Sequence, residues 1–243
     1  MVNLQEKNVL ITGAGTGMGQ GCAVAFAKAG CQVAIAGRRS EKLTETAELC
    51  RPATVHQHSV DISDRNATQA LVEWATEKLG RIDILVHSAG VNIKKRSMLE
   101  MDPAEWDKVL AINATGTYNL LWSVLPQMRD RGEGLIVNIS SVAGKRASDL
   151  GGIAYCASKF AATGLGTAVG LEESQRGIRV TNVYPGEVDT PLLEQRPQPV
   201  SEERRAQMLK QEDIAQVVLS IAALPARAHI PEIVIKPVTQ AYS

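Results

Sequence analysis

The sequence predicts an α/β fold in which seven parallel strands form one doubly wound sheet with helices on both faces. Three observations support this fold class. Short runs of β-branched residues alternate with helix-length segments along the whole chain. A glycine-rich segment lies between the first of these runs and a helix. The length of 243 residues suits a single domain better than two, at about 150 residues per domain.

Seven segments have the composition of strands. They cover residues 8–12, 32–36, 54–58, 82–87, 134–140, 179–184 and 232–236. The segments between them have apolar residues at helical spacing. Because strands joined by crossover helices run parallel, we expect a sheet that is covered on both faces.

Two long helices and one loop stand out in the second half of the chain. Asp102, Pro103 and Glu105 supply the N-cap, the first-turn proline and the capping-box acid of a helix that should reach about residue 129. A second helix is expected over residues 154–175, and its many small side chains would allow another helix to approach closely. Residues 186–205 include a Pro-rich stretch, which we expect to form a lid over the site.

Composition and charge exclude several classes of function. Lys plus Arg and Asp plus Glu both number 26, so no net charge attracts the chain to nucleic acid or to an anionic membrane. No run approaches the ~18 apolar residues of a membrane span. The segment 1–8 carries Glu6 and Lys7 and no leader pattern, which predicts a cytoplasmic protein. The cysteines lack metal-ligand spacing, so reduced thiols and no metal site are expected.

A glycine-rich turn joins the first strand to the first helix. The segment TGAGTGMG at residues 12–19 contains Gly13, Gly17 and Gly19. Residues without a Cβ allow backbone N–H groups and the positive end of the helix to approach a pyrophosphate. In this strand–turn–helix context, the segment predicts a dinucleotide site of the Rossmann type.

A tyrosine and a lysine suggest proton-transfer chemistry. Tyr155 and Lys159 are four residues apart on a predicted helix and therefore share one face. The ammonium is expected to lower the pKa of the phenol from about 10, so that it exchanges a proton near neutral pH. Ser141 follows the fifth strand at the edge where the crevice of a parallel sheet opens, and its hydroxyl could hold a carbonyl oxygen.

These motifs, in this order over residues 12–191, resemble the short-chain dehydrogenase/reductase family. The spacing of the glycine turn is similar, and the family's N-N-A-G segment appears as His87, Ser88, Ala89 and Gly90, with the first two positions changed. The resemblance implies one domain over 1–243 with the strand order 3-2-1-4-5-6-7. It also implies hydride transfer between nicotinamide C4 and a small-molecule carbonyl or secondary alcohol.

The resemblance implies roles for individual residues. Tyr155 would be the general acid in reduction and Ser141 a hydrogen-bond donor to the carbonyl oxygen. Lys159 would tune the tyrosine and bind ribose, and Asn113 would hold a water behind the lysine. The cofactor would be bound by Gly13, Gly15, Thr16, Gly17, Met18, Gly19, Arg38, Arg39, Asp61, Ile62, Ser88, Ala89, Gly90, Tyr155, Lys159, Pro185, Gly186, Val188 and Thr190.

The end of the second strand bears on the choice of cofactor. Gly37 occupies the position where an acid would bind the ribose 2′-hydroxyl, and Arg38 and Arg39 follow it. Because arginine accommodates a 2′-phosphate, NADP(H) is expected, while Thr16 in place of a basic residue leaves NAD(H) open. Asp61 resembles the family's adenine-side aspartate, and the alternative is a cap for the next helix.

The substrate and the assembly are less defined. Lys94, Lys95 and Arg96 either meet an anionic substrate or form a solvated surface. The tail 224–240 resembles that of the NADP-dependent 3-hydroxy acid (serine-type) dehydrogenase branch. The alternatives are a 3-oxoacyl thioester reductase and a nonenzymatic NADP(H)-binding regulator. Pairing of the long helices, common in the family, implies a homodimer or homotetramer.

Overall fold

Seven parallel strands form the central sheet in a computed structural model that describes residues 3–5 and 7–241. The strands are β1 (Asn8–Thr12), β2 (Gln32–Gly37), β3 (Val55–Ser59), β4 (Ile84–His87), β5 (Gly134–Ile139), β6 (Ile178–Pro185) and β7 (Glu232–Ile235). Their order is β3-β2-β1-β4-β5-β6-β7, and each neighbouring pair is parallel. The predicted fold class and strand order are therefore confirmed. Glu6 and the ends of the chain, residues 1–2 and 242–243, lie outside the described residues.

Helices cover both faces of this sheet. They are α1 (Gly17–Lys28), α2 (Ser40–Leu49), α3 (Arg65–Leu79), α4 (Pro103–Leu110), α5 (Gly116–Arg131), α6 (Ile153–Glu173), α7 (Glu202–Ala206) and α8 (Gln211–Ala222). Side chains alternate across β1, so that Val9 and Ile11 pack with α1 and α8, whereas Leu10 packs with α3 and α5. Each face thus has its own apolar core, and the central strands β1 and β5 between them are wholly buried.

The helix expected from Asp102 to about residue 129 is interrupted. Asp102 caps α4 as predicted, because its carboxylate accepts from the N–H of Ala104 at 2.9 Å. A π-helical turn, Ala111–Thr115, then separates α4 from α5. This turn widens the helix at Asn113, and such turns often occur at functional sites.

The loop after β6 is partly ordered into short helices. A 3₁₀ helix, Pro191–Gln195, precedes α7, so residues 186–205 are less irregular than expected. The carboxylate of Glu187 pairs with Arg196 at 2.8 Å and with Arg204, and Asp189 pairs with Arg205 and Lys210. These ion pairs hold the loop against the start of α8.

Two further features of the structure concern membrane spans and metal sites. No helix within residues 3–5 and 7–241 has both the length and the apolar character that a bilayer span requires. Over the same residues, no group of three His, Cys, Asp or Glu side chains is arranged to hold a metal ion. The four cysteines are buried and free.

Candidate active site

Two adjoining cavities lie at the carboxyl edge of the sheet, where β1, β4, β5 and β6 end. The first, of about 170 Å³, is lined by the glycine turn, the end of β2 and the segment after β4. The second, of about 150 Å³, is lined by Ser141, Tyr155 and the loop after β6. Met18, Thr190 and Leu192 line both cavities. A ligand in the first cavity would therefore lie next to a ligand in the second.

The glycine turn leaves room where side chains would block the first cavity. Gly13 has φ +70°, and a Cβ on it would lie 2.5 Å from the backbone nitrogen of Ala89. The N-cap of α1, Thr16, makes no side-chain capping bond, and the first turn contains no acid. The N–H groups at this helix end are thus left for a ligand, and the helix dipole favours an anion there. The turn fits the diphosphate of a dinucleotide.

The far end of the first cavity carries charged residues. Arg38 and Arg39 are exposed and line it together with Gly37. Asp61 accepts from the N–H and the hydroxyl of Ser63, at 3.0 and 2.8 Å. Burial alone would raise the pKa of Asp61, but the hydrogen bonds from Ser63 and the charge of Arg38 lower it.

A second aspartate explains how the following helix begins. Asp64 accepts from the N–H of Ala67 at 3.0 Å and is the N-cap of α3. The proposed alternative role of Asp61 as the cap of that helix is therefore wrong. Its carboxylate braces the turn at Ser63 and borders the first cavity.

Ser141, Tyr155 and Lys159 come from two adjacent elements. Ser141 lies two residues beyond the end of β5, and its Oγ accepts from the N–H of Ala143 at 3.1 Å. Tyr155 lies in the first turn of α6, and Lys159 is one turn further. The Nζ of Lys159 lies 3.3 Å from the carbonyl oxygen of Ile139 and 5.7 Å from the centroid of the Tyr155 ring. The Ser140 hydroxyl donates to the backbone carbonyl of Lys159 at 3.3 Å.

The pKa of Tyr155 differs from the expectation. Burial raises it, and the hydrogen bond with Ser141 lowers it only in part. Burial also lowers the pKa of Lys159 to about 8. The pKa of Tyr155 therefore lies above the ordinary phenol value, contrary to the expectation of a lowered pKa, because desolvation of the phenol outweighs the groups that lower it. Tyr155 is a protonated phenol at neutral pH.

Asn113 uses its side chain to hold other parts of the protein. Its Oδ1 accepts from the N–H of Val91 at 2.8 Å, and its Nδ2 donates to the Val91 carbonyl and the Ser158 hydroxyl, both at 2.9 Å. The amide thus ties the π-helical turn to the segment after β4 and to α6. A water-holding role for Asn113 stays a prediction.

His87, the first departure from the family's segment, lies directly beneath this turn. Its Nδ1 and Nε2 lie 2.8 and 2.9 Å from the hydroxyls of Thr12 and Thr117. The Thr117 hydroxyl donates to the carbonyl of Asn113, so it must accept from His87 Nε2–H, and Nδ1 accepts from Thr12. Burial lowers the pKa of His87 to about 3, so the ring is neutral. The sequence showed the substitution but not this chain of hydrogen bonds.

The predicted cofactor residues divide between the two cavities. Most of them line the first cavity: Gly13, Gly15, Thr16, Gly17, Met18, Arg38, Arg39, Asp61, Ile62, Ser88, Ala89, Gly90 and Thr190. Tyr155, Pro185, Gly186 and Val188 line the second instead. Gly19 lies behind the turn, where a Cβ would be 2.4 Å from the carbonyl oxygen of Gly13. Lys159 and Asn113 are not among the lining residues of either cavity but lie next to Gly90 of the first, where a Cβ would be 3.3 Å from the Nζ of Lys159 and 3.5 Å from the Oδ1 of Asn113.

The three basic residues after β4, Lys94, Lys95 and Arg96, lie in different surroundings. Lys94 and Lys95 are exposed and line a separate surface depression, whereas Arg96 is buried and lines the second cavity. Arg196 and Glu187, from the loop after β6, line the second cavity as well and were not singled out from the sequence. The sequence pointed only to the Pro-rich loop and to their neighbours Gly186 and Val188.

Comparison with known proteins agrees with this geometry. The family model for short chain dehydrogenases matches residues 7–200. Sulfoacetaldehyde reductase 2 of Chromohalobacter salexigens is 34% identical over 97% of this chain and 96% of its own. The closed form of a serine dehydrogenase complexed with NADP+ superimposes with a TM-score of 0.88, at 28% identity over 97% of this chain and 96% of that one.

A third protein carries the other nicotinamide coenzyme. The 3-ketoacyl-(acyl-carrier-protein) reductase of Brucella melitensis, complexed with NADH, superimposes with a TM-score of 0.86, at 29% identity over 96% of this chain and 98% of that one. Together with the family model, these similarities cover the glycine turn, Ser141, Tyr155 and Lys159. The chain belongs to the short-chain dehydrogenase family and is an oxidoreductase with a nicotinamide-cofactor site.

Proposed function

We propose that this protein transfers hydride between NADP(H) and a small carbonyl or secondary alcohol, with the reacting oxygen held by Ser141 and Tyr155. The observation that carries the proposal is the meeting of the two cavities beside these hydroxyls. When bound in the first cavity, the cofactor supplies or accepts the hydride. The second cavity then holds the carbon that gains or loses it.

The protein groups handle the proton in this reaction. In reduction, the Ser141 hydroxyl donates a hydrogen bond to the carbonyl oxygen, and Tyr155 transfers its phenolic proton to that oxygen as the new C–H bond forms. The protonated state of Tyr155 at neutral pH suits an acid. The Lys159 ammonium, held at the carbonyl of Ile139, stabilises the phenolate that remains.

The coenzyme preference rests on the end of β2. A 2′-phosphate would meet Arg38 and Arg39 at the rim of the first cavity, and Gly37 offers no carboxylate to repel it. The similar structures include one complexed with NADP+ and one complexed with NADH. Support for NADP(H) over NAD(H) therefore comes from Gly37, Arg38 and Arg39 of this chain. NAD(H) remains the alternative.

A 3-hydroxy acid is the substrate that the tail 224–240 favours, and a 3-oxoacyl thioester is the alternative. The relatives named for serine, sulfoacetaldehyde and 3-ketoacyl substrates include both classes. The loop 186–205 borders the second cavity, and we propose that it acts as a lid over the substrate. A homodimer or homotetramer and a cytoplasmic location stay predictions from the sequence.

A substrate panel tests this function. Purified protein would be assayed for NADPH and NADH oxidation against small ketones, 3-oxo acids and a 3-oxoacyl thioester, and for the reverse reaction with 3-hydroxy acids. We expect turnover with at least one carbonyl and a preference for NADPH. Tight NADPH binding without turnover of any carbonyl or alcohol would instead favour a nonenzymatic NADP(H)-binding regulator.

A further inference from the structure

The buried guanidinium of Arg96 has no carboxylate partner within the described part of the chain. Its Nε donates to the carbonyl of Ile93 at 2.9 Å, one Nη to the carbonyl of Leu150 at 2.6 Å, and the other Nη to the carbonyl of Gln195. All three acceptors are neutral. Since a guanidinium has five N–H donors, two remain for another acceptor.

The surroundings of Arg96 add positive charge. The charged side chains that line the second cavity, among described residues, are Arg96, Arg196 and Glu187. Glu187 already pairs with Arg196 and with Arg204. Burial lowers the pKa of Arg96, and the charge of Arg196 lowers it further. A buried cation in such a place is unfavourable unless an anion joins it.

The position of Arg96 relates this charge to the reaction. It shares the second cavity with Ser141 and Tyr155, and its positive charge acts to lower the pKa of the Tyr155 phenol. Its stem packs against Gly152, where a Cβ would be 2.6 Å from the Cβ of Arg96. The carbonyls of three chain segments therefore fix the guanidinium beside the proposed proton donor.

We propose that Arg96, assisted by Arg196, binds a carboxylate or sulfonate group of the substrate and thereby places the substrate's carbonyl oxygen at Ser141 and Tyr155. This inference rests on the proposed function and defines its substrate class as small oxo-acid anions. The cavity of about 150 Å³ suits such a compact molecule. Arginine also matches the planar, two-oxygen geometry of a carboxylate.

The test compares ketones and aldehydes that carry a carboxylate with their uncharged methyl esters. Wild-type protein, Arg96→Gln, Arg96→Lys and the control Lys94→Gln would be assayed with acetoacetate and succinic semialdehyde, each against its methyl ester. We expect Arg96→Gln to lower the ratio of kcat/KM for anion over ester by roughly 10- to 150-fold. Arg96→Lys should recover part of that ratio, and Lys94→Gln should leave it unchanged.

Two results would overturn this inference without overturning the proposed function. One is wild-type protein that reduces the esters as well as the anions. The other is Arg96→Gln lowering both rates equally, because Arg96 would then only brace the segments at Ile93, Leu150 and Gln195. Absence of NADPH oxidation with any carbonyl would instead overturn the proposed function, and this inference with it.

A measurement on wild-type protein decides the case if Arg96→Gln does not fold. Malonate and its dimethyl ester would be compared as competitive inhibitors of acetoacetate reduction. At least ~10-fold stronger inhibition by malonate, reduced in Arg196→Gln, supports an anion site. Equal inhibition by the two compounds refutes it.

Discussion

Single residues with unusual surroundings define the chemistry of this protein. Lys159 is a buried lysine whose Nζ donates to the carbonyl of Ile139, and Tyr155 is a phenol kept protonated by burial. Arg38 is different, because it is exposed at the rim of the first cavity, where its charge lowers the pKa of Asp61. A ligand bound there would meet the same charge, and this contact can be measured directly.

The coenzyme preference depends on Gly37 and Arg38. A charge-assisted contact to the 2′-phosphate is worth about 1.5 to 3 kcal/mol, which corresponds to roughly 10- to 150-fold tighter binding of NADPH than NADH. The double variant Gly37→Asp and Arg38→Leu should invert this preference. Dissociation constants for both coenzymes would be compared at matched ionic strength, because salt screens the contact. Equal affinities in the wild type would show that the arginines are only surface charges.

The buried Lys159 should make stability depend on pH. Its folded pKa of about 8 lies below the ordinary value of 10.5, so the unfolded chain holds the proton more tightly. Below pH 8 the buried charge lowers the free energy of unfolding by roughly 3 kcal/mol, and this penalty disappears as the pH rises to the unfolded pKa. Lys159→Met removes the penalty, so the variant should be more stable than the wild type below pH 8. This difference should shrink between pH 8 and 10.5.

Urea unfolding across this pH range measures the effect. The control is Lys108→Met, since Lys108 is about half exposed on α4. A difference between wild type and Lys159→Met that stays constant from pH 7 to 10.5 would show that Lys159 has an ordinary pKa.

At the scale of elements, the sequence predicted the strands and most helices but not the π-helical turn. The strands were predictable because each is a short run with its own local composition. The turn at Asn113 depends instead on partners 22 and 45 residues away, Val91 and Ser158. The placement of Arg96 is likewise set by Leu150 and Gln195, which are 54 and 99 residues distant. Contacts between residues so far apart in the sequence produce no local sequence pattern from which they could be predicted.

The carboxyl ends of α5 and α6 are held together by one buried carboxylate. The Glu173 side chain is fully buried and accepts from Nε of Arg129 at 3.0 and 3.1 Å. Glu173→Gln keeps the shape but loses the charge, so the free energy of unfolding should fall by about 1 to 3 kcal/mol. Chemical denaturation would compare it with Glu172→Gln, whose exposed side chain should give a change within about 0.5 kcal/mol. Equal effects of the two would contradict this role.

At the scale of the whole molecule, α5 and α6 expose apolar side chains that a monomer would leave in water. Tyr118 and Trp122 lie on α5, and Phe160 and Leu171 on α6, each at least 41% exposed. The small residues of α6 divide between two sides. A Cβ on Gly166 would be 2.2 Å from Asn182, whereas one on Gly164 would meet nothing within 4 Å. Gly166 thus serves packing onto the sheet, and Gly164 leaves space for another chain.

We therefore expect sedimentation velocity to show a dimer or tetramer at micromolar concentration. Phe160→Glu should shift it toward the monomer, because a buried unpaired charge opposes helix pairing. Leu99→Glu serves as the control, since Leu99 is 95% exposed in the loop before α4. A monomeric wild type would refute the proposed assembly.

Turnover by Tyr155→Phe tests whether Tyr155 is the proton donor. The variant lacks only the phenolic hydroxyl that would give up the proton. With the best carbonyl from the panel, kcat should fall by at least ~10²-fold, while the dissociation constant for NADPH stays close to that of the wild type. Turnover equal to that of the wild type, with NADPH still bound, would show that the proton comes from another group and would contradict the mechanism.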